Sequence, residues 1–238
     1  MFSSITKAII LAGGLGTRLR SAVPNLPKCM APVNGTPFIA YVVAHFREQG
    51  IQNFIFALGY KSELLESYLQ TLLPANAYRL SIEKEPLGTG GAIRLACAGV
   101  DEEDVLVVNG DTLFRITVRN ITDVHYRQKA HCTLALKPMK AFSRYGAVTL
   151  NEDLSVHRFK EKQYFAEGLI NGGVYALHVP AFMHREWPVQ FSFEKDYLEH
   201  TYEEGKIFGV AEDAYFIDIG IPEDYERARV ELSPGSMY

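Results

Sequence analysis

Lys7-Ala8-Ile9-Ile10-Leu11-Ala12-Gly13-Gly14-Leu15-Gly16-Thr17-Arg18-Leu19 is the stretch on which the reading of this chain turns. An apolar, β-forming run ends in a turn that carries Gly13, Gly14 and Gly16. Bare backbone N–H groups at such a turn can close on a polyphosphate, and the Arg18 guanidinium can hold phosphate oxygens in pairs. Lys28 follows as a second cation in the dipeptide Pro27-Lys28. Taken alone, the loop could also be a tight turn with a solvated arginine.

Two common phosphate loops make definite demands on spacing, and neither is met. The Walker loop needs Gly-Lys-Ser/Thr, whereas Gly205-Lys206 runs on into Ile207. The dinucleotide fingerprint needs a third glycine where Leu19 stands, and an acid about twenty positions further on, where the residues around Asn34 are uncharged. Nicotinamide chemistry is therefore disfavoured.

A chain of 238 residues, 47% hydrophobic and 22% charged, can bury a full core. Its net charge of −4 argues against a general nucleic-acid binder, while local cations such as Arg18, Arg20 and Lys28 can still receive phosphates. Cys29, Cys97 and Cys132 are odd in number, far apart and without a Cys-x-x-Cys pair. Neither a disulfide framework nor a zinc site follows, and a reducing cytoplasm is expected. No apolar run approaches the roughly eighteen residues of a membrane span, and Ala8–Ala12 is too short for a signal-peptide core. No membrane or nucleic-acid partner is expected. The seven histidines show no metal spacing and read as structural.

In the first half, Lys7–Leu11, Asn53–Leu58 and Val105–Val108 read as buried strands. Between them, Phe38–Gln49, Lys61–Leu72 and Gly91–Ala98 read as helices that end at Gly50, before Pro74 and at Gly99. This alternation predicts a mainly parallel sheet covered on both faces, with ligands at the carboxyl ends of the strands. In the second half, Cys132–Lys137, Ala147–Leu150, Val156–Phe159 and Val174–Leu177 read as shorter, antiparallel strands with few helices between them. Helical signals return at Ser192–Glu204, capped by Ser192, and at Pro222–Leu232. No linker separates the halves. The expectation is one domain over 1–238 with two functional halves, about 1–130 and about 131–238.

Val105-Leu106-Val107-Val108-Asn109-Gly110-Asp111 is a buried strand ending in a carboxylate, and Tyr215-Phe216-Ile217-Asp218-Ile219-Gly220 repeats the pattern. Two carboxylates at neighbouring strand ends make an oxygen-ligand site suited to Mg²⁺. With a polyphosphate loop, that site means phosphoryl or nucleotidyl transfer. Individually, Asn109-Gly110-Asp111 could be a hairpin turn and Asp218 a helix cap. Glu83-Lys84-Glu85-Pro86-Leu87-Gly88-Thr89-Gly90-Gly91 is a second glycine-rich segment opening a helix. Its glycines allow close backbone approach to a base, and Glu83 or Glu85 can accept from the N1–H and amino group of guanine; a solvated loop is the alternative. Glu161-Lys162 and Asn171-Gly172-Gly173 suit a sugar phosphate, with carboxylate and amide on hydroxyls and ammonium on phosphate. Gly146 can let the backbone touch the sugar. Glu-Lys dipeptides are more often a solvated surface.

Taken in order, Gly13–Leu19, Pro27-Lys28, Glu85–Gly91, Asn109-Gly110-Asp111, Tyr145-Gly146, Glu161-Lys162, Asn171-Gly172-Gly173 and Asp218-Ile219-Gly220 resemble the sugar-1-phosphate nucleotidyltransferases. Within that family, Glu83–Ile93, Leu169–Gly173 and Phe216–Tyr225 are most similar to the branch that guanylylates D-glycero-D-manno-heptose 1-phosphate. The resemblance implies a Rossmann-like three-layer α/β/α sandwich with a mixed, mainly parallel central sheet and a smaller antiparallel sugar-binding part. It also implies in-line attack of a sugar 1-phosphate on the α-phosphate of a nucleoside triphosphate, with GTP and heptose 1-phosphate as substrates and pyrophosphate as leaving group.

Carried onto this chain, Arg18 and Lys28 would be catalytic. The nucleotide would sit on Leu11, Gly13, Gly14, Gly16, Thr17, Arg18, Lys28, Glu85, Gly88, Thr89 and Asn109. Asp111, Gly146, Glu161, Lys162 and Asn171 would hold the sugar phosphate, and Asp111 and Asp218 the Mg²⁺. The chain departs from many relatives at Arg20-Ser21-Ala22-Val23-Pro24, and ending at Tyr238 it is expected to lack the left-handed β-helix of larger ones. A homo-oligomer fits the family. A mannose 1-phosphate guanylyltransferase, or a uridylyl- or thymidylyltransferase, is the nearest alternative activity. A non-catalytic sugar-nucleotide sensor is the rival from another class, and intact Arg18, Lys28, Asp111 and Asp218 argue against it.

Overall fold

The computed structural model describes residues 4–14, 19, 23, 26–59 and 62–232. In chain order the strands are β1 (Lys7–Leu11), β2 (Pro32–Val33), β3 (Thr36–Pro37), β4 (Asn53–Leu58), β5 (Tyr78–Ile82), β6 (Asp104–Asn109), β7 (Thr112–Phe114), β8 (Cys132–Phe142), β9 (Ala147–Leu150), β10 (Val156–Lys160), β11 (Phe165–His178), β12 (Ile207–Ala211) and β13 (Phe216–Asp218). The helices are α1 (Phe38–Glu48), α2 (Ser62–Leu72), α3 (Gly88–Cys97), α4 (Val118–Gln128), α5 (Val179–Met183), α6 (Glu199–Thr201) and α7 (Pro222–Glu231), with a π-helical turn over Phe193–Leu198.

Strands β6, β1, β4 and β5 lie side by side and parallel. β11 joins the other edge of β6 antiparallel and continues into pairings with β8 and β9. This is the expected mixed, mainly parallel sheet. Side chains alternate across it: Ala8, Ile10, Phe54, Phe56 and Val108 meet α1 and α2 on one face. Ile9, Ile55, Val107 and Tyr175 meet α3 and an aromatic group of Phe182, Phe191, Phe193 and Tyr197 on the other. Burial on both faces is why β1 and β6 read as unbroken apolar runs.

Several boundaries differ from the expected ones for identifiable reasons. β11 is 14 residues long, where only Val174–Leu177 was expected. Its Asn171-Gly172-Gly173 segment is a bulge in the strand: the register with β8 shifts there, Gly173 takes φ +72°, and its N–H donates to Asn171 Oδ1 at 3.0 Å. β8 runs past Lys137 through Pro138, because beyond Leu136 it has lost its β12 neighbour and a proline is tolerated at such an edge. α4 was not foreseen, because two positions of its buried face are the polar Thr122 and His125. β5 and β12 were likewise not expected.

α3 begins at Gly88 instead of Gly91, and the second half of the chain holds it there. Gly90 N–H donates to Phe191 O at 3.0 Å, and Phe191 N–H to Leu87 O at 3.0 Å. A Cβ on Gly88 would lie 2.5 Å from Phe191 O, and one on Gly90 would overlap the Phe191 ring. These glycines make room for Phe191. Gly90→Ala should therefore lower the unfolding free energy by about 1–3 kcal/mol despite the helix propensity of alanine, whereas Gly14→Ala, with open space at its Cβ, should not. Urea titration reads both.

At the amino end of β6, Asp104 Oδ1 accepts from His125 Nε2 at 3.0 Å and from His178 Nδ1 at 2.9 Å. Burial pushes this carboxyl up, but the two imidazoles outweigh it and hold it below the usual range. A depressed carboxyl contributes stability that is present above its unfolded pKa and lost as pH falls through the folded one. The stability gap between the native chain and Asp104→Asn should thus narrow below about pH 4, as measured by chemical denaturation across the acid range.

Candidate active site

The carboxyl ends of β1, β4 and β6 open onto a cleft of about 570 Å³. Leu11, Gly13, Gly14, Lys28, Gly88, Thr89, Asn109, Asp111, Lys162 and Asp218, all expected site residues, line it. A neighbouring cavity of about 340 Å³ is lined by Gly146, Glu161, Lys162 and Asn171. The two cavities share Tyr145, Lys162 and Glu194. Gly16, Thr17 and Arg18 lie outside the described residues.

Three chain segments converge on one ion cluster. β6 ends at Asn109, and Gly110 N–H donates to Leu11 O at 2.9 Å, with no room for a Cβ between the two strand ends. The turn at Gly110-Asp111 hands the chain from the main sheet to β7, which pairs with β13 so that Thr112 faces Asp218. It is not a hairpin, because β6 and β7 pair with different partners. Nor is Asp218 a helix cap: Ile221 precedes α7, and Asp218 Oδ1 accepts from Gly220 N–H at 2.8 Å. Ile219 N–H donates to Asp111 O at 3.0 Å and fixes the two acidic turns against each other.

Lys28, on a single 3₁₀ turn, places Nζ 2.5 Å from Asp111 Oδ2 and 3.4 Å from Asp218 Oδ1. Burial works against its charge, but the two carboxylates outweigh burial and hold the ammonium above its ordinary range. Burial, then the nearby Asp111 charge, pushes the Asp218 carboxyl up. Tyr145 donates to Asp218 Oδ2 at 3.4 Å; burial and Asp218 push its phenol up to about 12, so it stays a donor at neutral pH. Arg144 pairs with Asp224, which Arg227 also holds at 3.0 Å. Cys29 lines the cleft, but burial pushes its thiol up to about 12, which removes it as a nucleophile.

Among the described residues no group of three or more His, Cys, Asp or Glu side chains gathers as a metal cage. Asp111 and Asp218 form a pair. That is the donor set a divalent ion such as Mg²⁺ uses when phosphate oxygens and water complete its shell.

At the far side of the cleft the structure separates the two acidic candidates. Glu83 lines the cleft, its Oε2 accepting from Leu87 N–H at 3.1 Å and its Oε1 resting against Gly59 and Gly13. Glu85 is exposed and does not line the cleft. Only Lys84 separates them, and no periodic pattern distinguishes which one turns inward. Gly146 lines the second cavity, but a Cβ there would sit 2.6 Å from Lys160 O, so the glycine also lets β9 and β10 approach. Asn171 Nδ2 donates to Tyr175 OH at 2.9 Å. Arg144, Tyr145, Glu194 and Asp224 also reach the cleft and were not expected there as site residues. Tyr145 and Asp224 stood in quoted stretches, whereas no motif marks Glu194.

The nucleotidyl transferase family matches residues 7–233. The chain is 49% identical over 226 residues to D-glycero-alpha-D-manno-heptose 1-phosphate guanylyltransferase from Aneurinibacillus thermoaerophilus, covering 95% of this chain and 98% of the relative. It is 43% identical over 219 residues to the enzyme of the same name from Campylobacter jejuni, covering 92% and 96%. The crystal structure of HddC from Yersinia pseudotuberculosis superposes with a TM-score of 0.84 at 34% identity, covering 96% of this chain and 100% of that one. The same protein has been solved in complex with GMP-PN. No described helix is long and apolar enough to cross a membrane.

The Lys28 tie itself can be tested without a substrate. Lys28→Met leaves two carboxylates facing each other and should cost about 1–2 kcal/mol of stability at pH 7, less than a fully buried pair because all three groups keep some solvent contact. In an Asp218→Asn background the same substitution should cost less than half as much. Additive costs in a urea double-mutant cycle would contradict the coupling.

Proposed function

This chain belongs to the nucleotidyl transferase family, and on that premise we propose that it transfers GMP from GTP to D-glycero-α-D-manno-heptose 1-phosphate, giving GDP-heptose and pyrophosphate. The observation that carries the reading is the pair of strand-end carboxylates, Asp111 and Asp218, gathered by Lys28 at the point where a nucleotide-sized cleft meets a second, hydroxyl-suited cavity. The choice of guanine and heptose is supported by the names of the relatives at 49% and 43% identity and by the GMP-PN complex of HddC.

In-line transfer to phosphorus needs alignment and charge neutralisation more than covalent chemistry. A Mg²⁺ ion held by Asp111 and Asp218 would supply Lewis-acid stabilisation of the phosphate oxygens. Lys28, at the same point, would neutralise charge on the triphosphate, and Arg18 would add a guanidinium from the glycine loop. Gly13 and Gly14 leave backbone open to phosphate. Lys162, shared by both cavities, would hold the phosphate of the sugar 1-phosphate and orient its oxygen toward the α-phosphate. Glu161 and Asn171 would take sugar hydroxyls. Glu83, whose carboxylate lines the cleft beside Gly13 and Leu87, would accept from the N1–H and amino group of guanine, in place of Glu85. The work belongs in the cytoplasm, where nucleoside triphosphates are found.

Pyrophosphate release over four nucleoside triphosphates and a panel of sugar 1-phosphates tests the pair. If UTP, dTTP or CTP exceeded GTP in kcat/KM with every sugar, the guanylyl assignment would fall; if mannose 1-phosphate exceeded the heptose, only the sugar assignment would. Asp111→Asn and Asp218→Asn should each keep the native circular dichroism spectrum and lower turnover about a hundredfold or more at saturating Mg²⁺. Glu83→Gln should lower kcat/KM for GTP by about tenfold or more, while Glu85→Gln leaves it within about twofold, read in the same assay.

A further inference from the structure

We propose that Glu194 is a specificity-determining residue of the sugar cavity, an acceptor for a hydroxyl of the sugar 1-phosphate, and that Thr89 on the nucleotide side is the positioning residue that aims it. The proposal rests on the reading above and extends it to a side chain that no motif marks.

Glu194 lies in the π-helical turn Phe193–Leu198 and lines both cavities. Such a turn widens the helix by a residue and is frequent at functional sites. Two hydroxyls hold its carboxylate by the same oxygen: Thr89 Oγ1 donates to Glu194 Oε2 at 2.8 Å, and Ser192 Oγ donates to it at 3.2 Å. Their direction is not free. Thr89 Oγ1 already accepts Phe193 N–H at 2.8 Å, and Ser192 Oγ accepts Lys195 N–H at 3.1 Å. A hydroxyl carries one hydrogen, and with a backbone N–H on each oxygen both hydrogens are turned to Oε2.

Oε2 is thereby held and satisfied by two donors, and Oε1 has no hydrogen-bond donor among the described residues. The charge on Glu194 decides what this place can take. Lys160, Lys162 and Lys195 balance Glu161 and Glu199 on the second cavity and can receive a phosphate, whereas an ionised carboxylate repels a phosphate oxygen and takes hydrogen-bond donors, which a sugar offers as hydroxyl hydrogens. A carboxylate that accepts from a desolvated hydroxyl makes a charge-assisted bond, and a sugar lacking that hydroxyl would leave it unpaired. Thr89 stands in the first turn of α3, directly after the base-side segment Pro86–Gly88. The same bond therefore ties the nucleotide side of the cleft to the selectivity of the sugar side.

The test compares the native enzyme with Glu194→Gln, Thr89→Val and Thr89→Ser, using GTP, a manno-configured sugar 1-phosphate and its monodeoxy analogues. Glu194→Gln should raise KM for the sugar phosphate about tenfold or more and leave KM for GTP within about twofold. The deoxy analogue that most weakens the native enzyme should weaken Glu194→Gln little. Thr89→Val should shift the same constant in the same direction, and Thr89→Ser should restore it. Equal rises in both Michaelis constants, or equal losses for every deoxy analogue in native and variant enzymes, would reduce Glu194 to a packing tie and overturn the proposal. If Glu194→Gln does not fold by thermal melting, Thr89→Val against Thr89→Ser decides on the same split. A native enzyme that releases pyrophosphate from no pair of substrates would overturn the underlying transfer reading instead, which separates the two failures.

Discussion

The ammonium of Lys28 between Asp111 and Asp218 is the constraint around which the site is built. Two carboxylates at neighbouring strand ends repel each other, and the elevated Asp218 carboxyl records that repulsion together with its burial. A cation between them offsets that repulsion. In this arrangement the chain supplies one from a segment more than eighty residues away from either aspartate. The backbone is shaped to the same end: a Cβ on Gly220 would lie 2.9 Å from Lys28 Nζ, and one on Gly110 would meet Leu11 O at 2.9 Å. A phosphate-bearing substrate and a divalent ion would bring countercharges to the same point, so the groups that stabilise the folded chain there are also those suited to substrate.

The second constraint is mechanical. β11 pairs with β6 of the parallel part near one end and with β9 toward the other, while β8 runs beside it along most of its length, so the parallel and antiparallel parts form one continuous sheet. The base-side segment depends on the second half as well, because Leu87, Gly88 and Gly90 are locked to Phe191 by hydrogen bonds and by contacts that only glycine permits. The larger cleft draws its lining from both halves of the chain, and neither half has a core that closes without the other's residues.

Much of this was legible in the chain itself. β1 and β6 declare themselves as apolar runs because both faces are buried, and the carboxylates at 111 and 218 stand out because a charge ends each run. What stayed hidden has physical causes. The polar residues Thr122 and His125 lie on the buried face of α4, with His125 satisfied by Thr133 and Asp104, and this masks the helical period. The Gly172-Gly173 bulge looks like a strand end because glycine serves both. Glu83 and Glu85 share their chemistry, and only the bond from Leu87 N–H distinguishes the one that turns inward. Glu194 was out of reach for the same reason: its environment is made by a threonine 105 positions away.

The central claim is that Asp111 and Asp218 form the cation site at which a triphosphate is attacked. Anomalous diffraction from crystals grown with Mn²⁺ and a non-hydrolysable GTP analogue tests it most directly. The account predicts a manganese peak bridging the Asp111 and Asp218 carboxylates and the nucleotide phosphates, with the Lys28 ammonium shifted from between the carboxylates onto phosphate oxygens. A peak coordinated by neither aspartate, with Lys28 still seated between them, would contradict it.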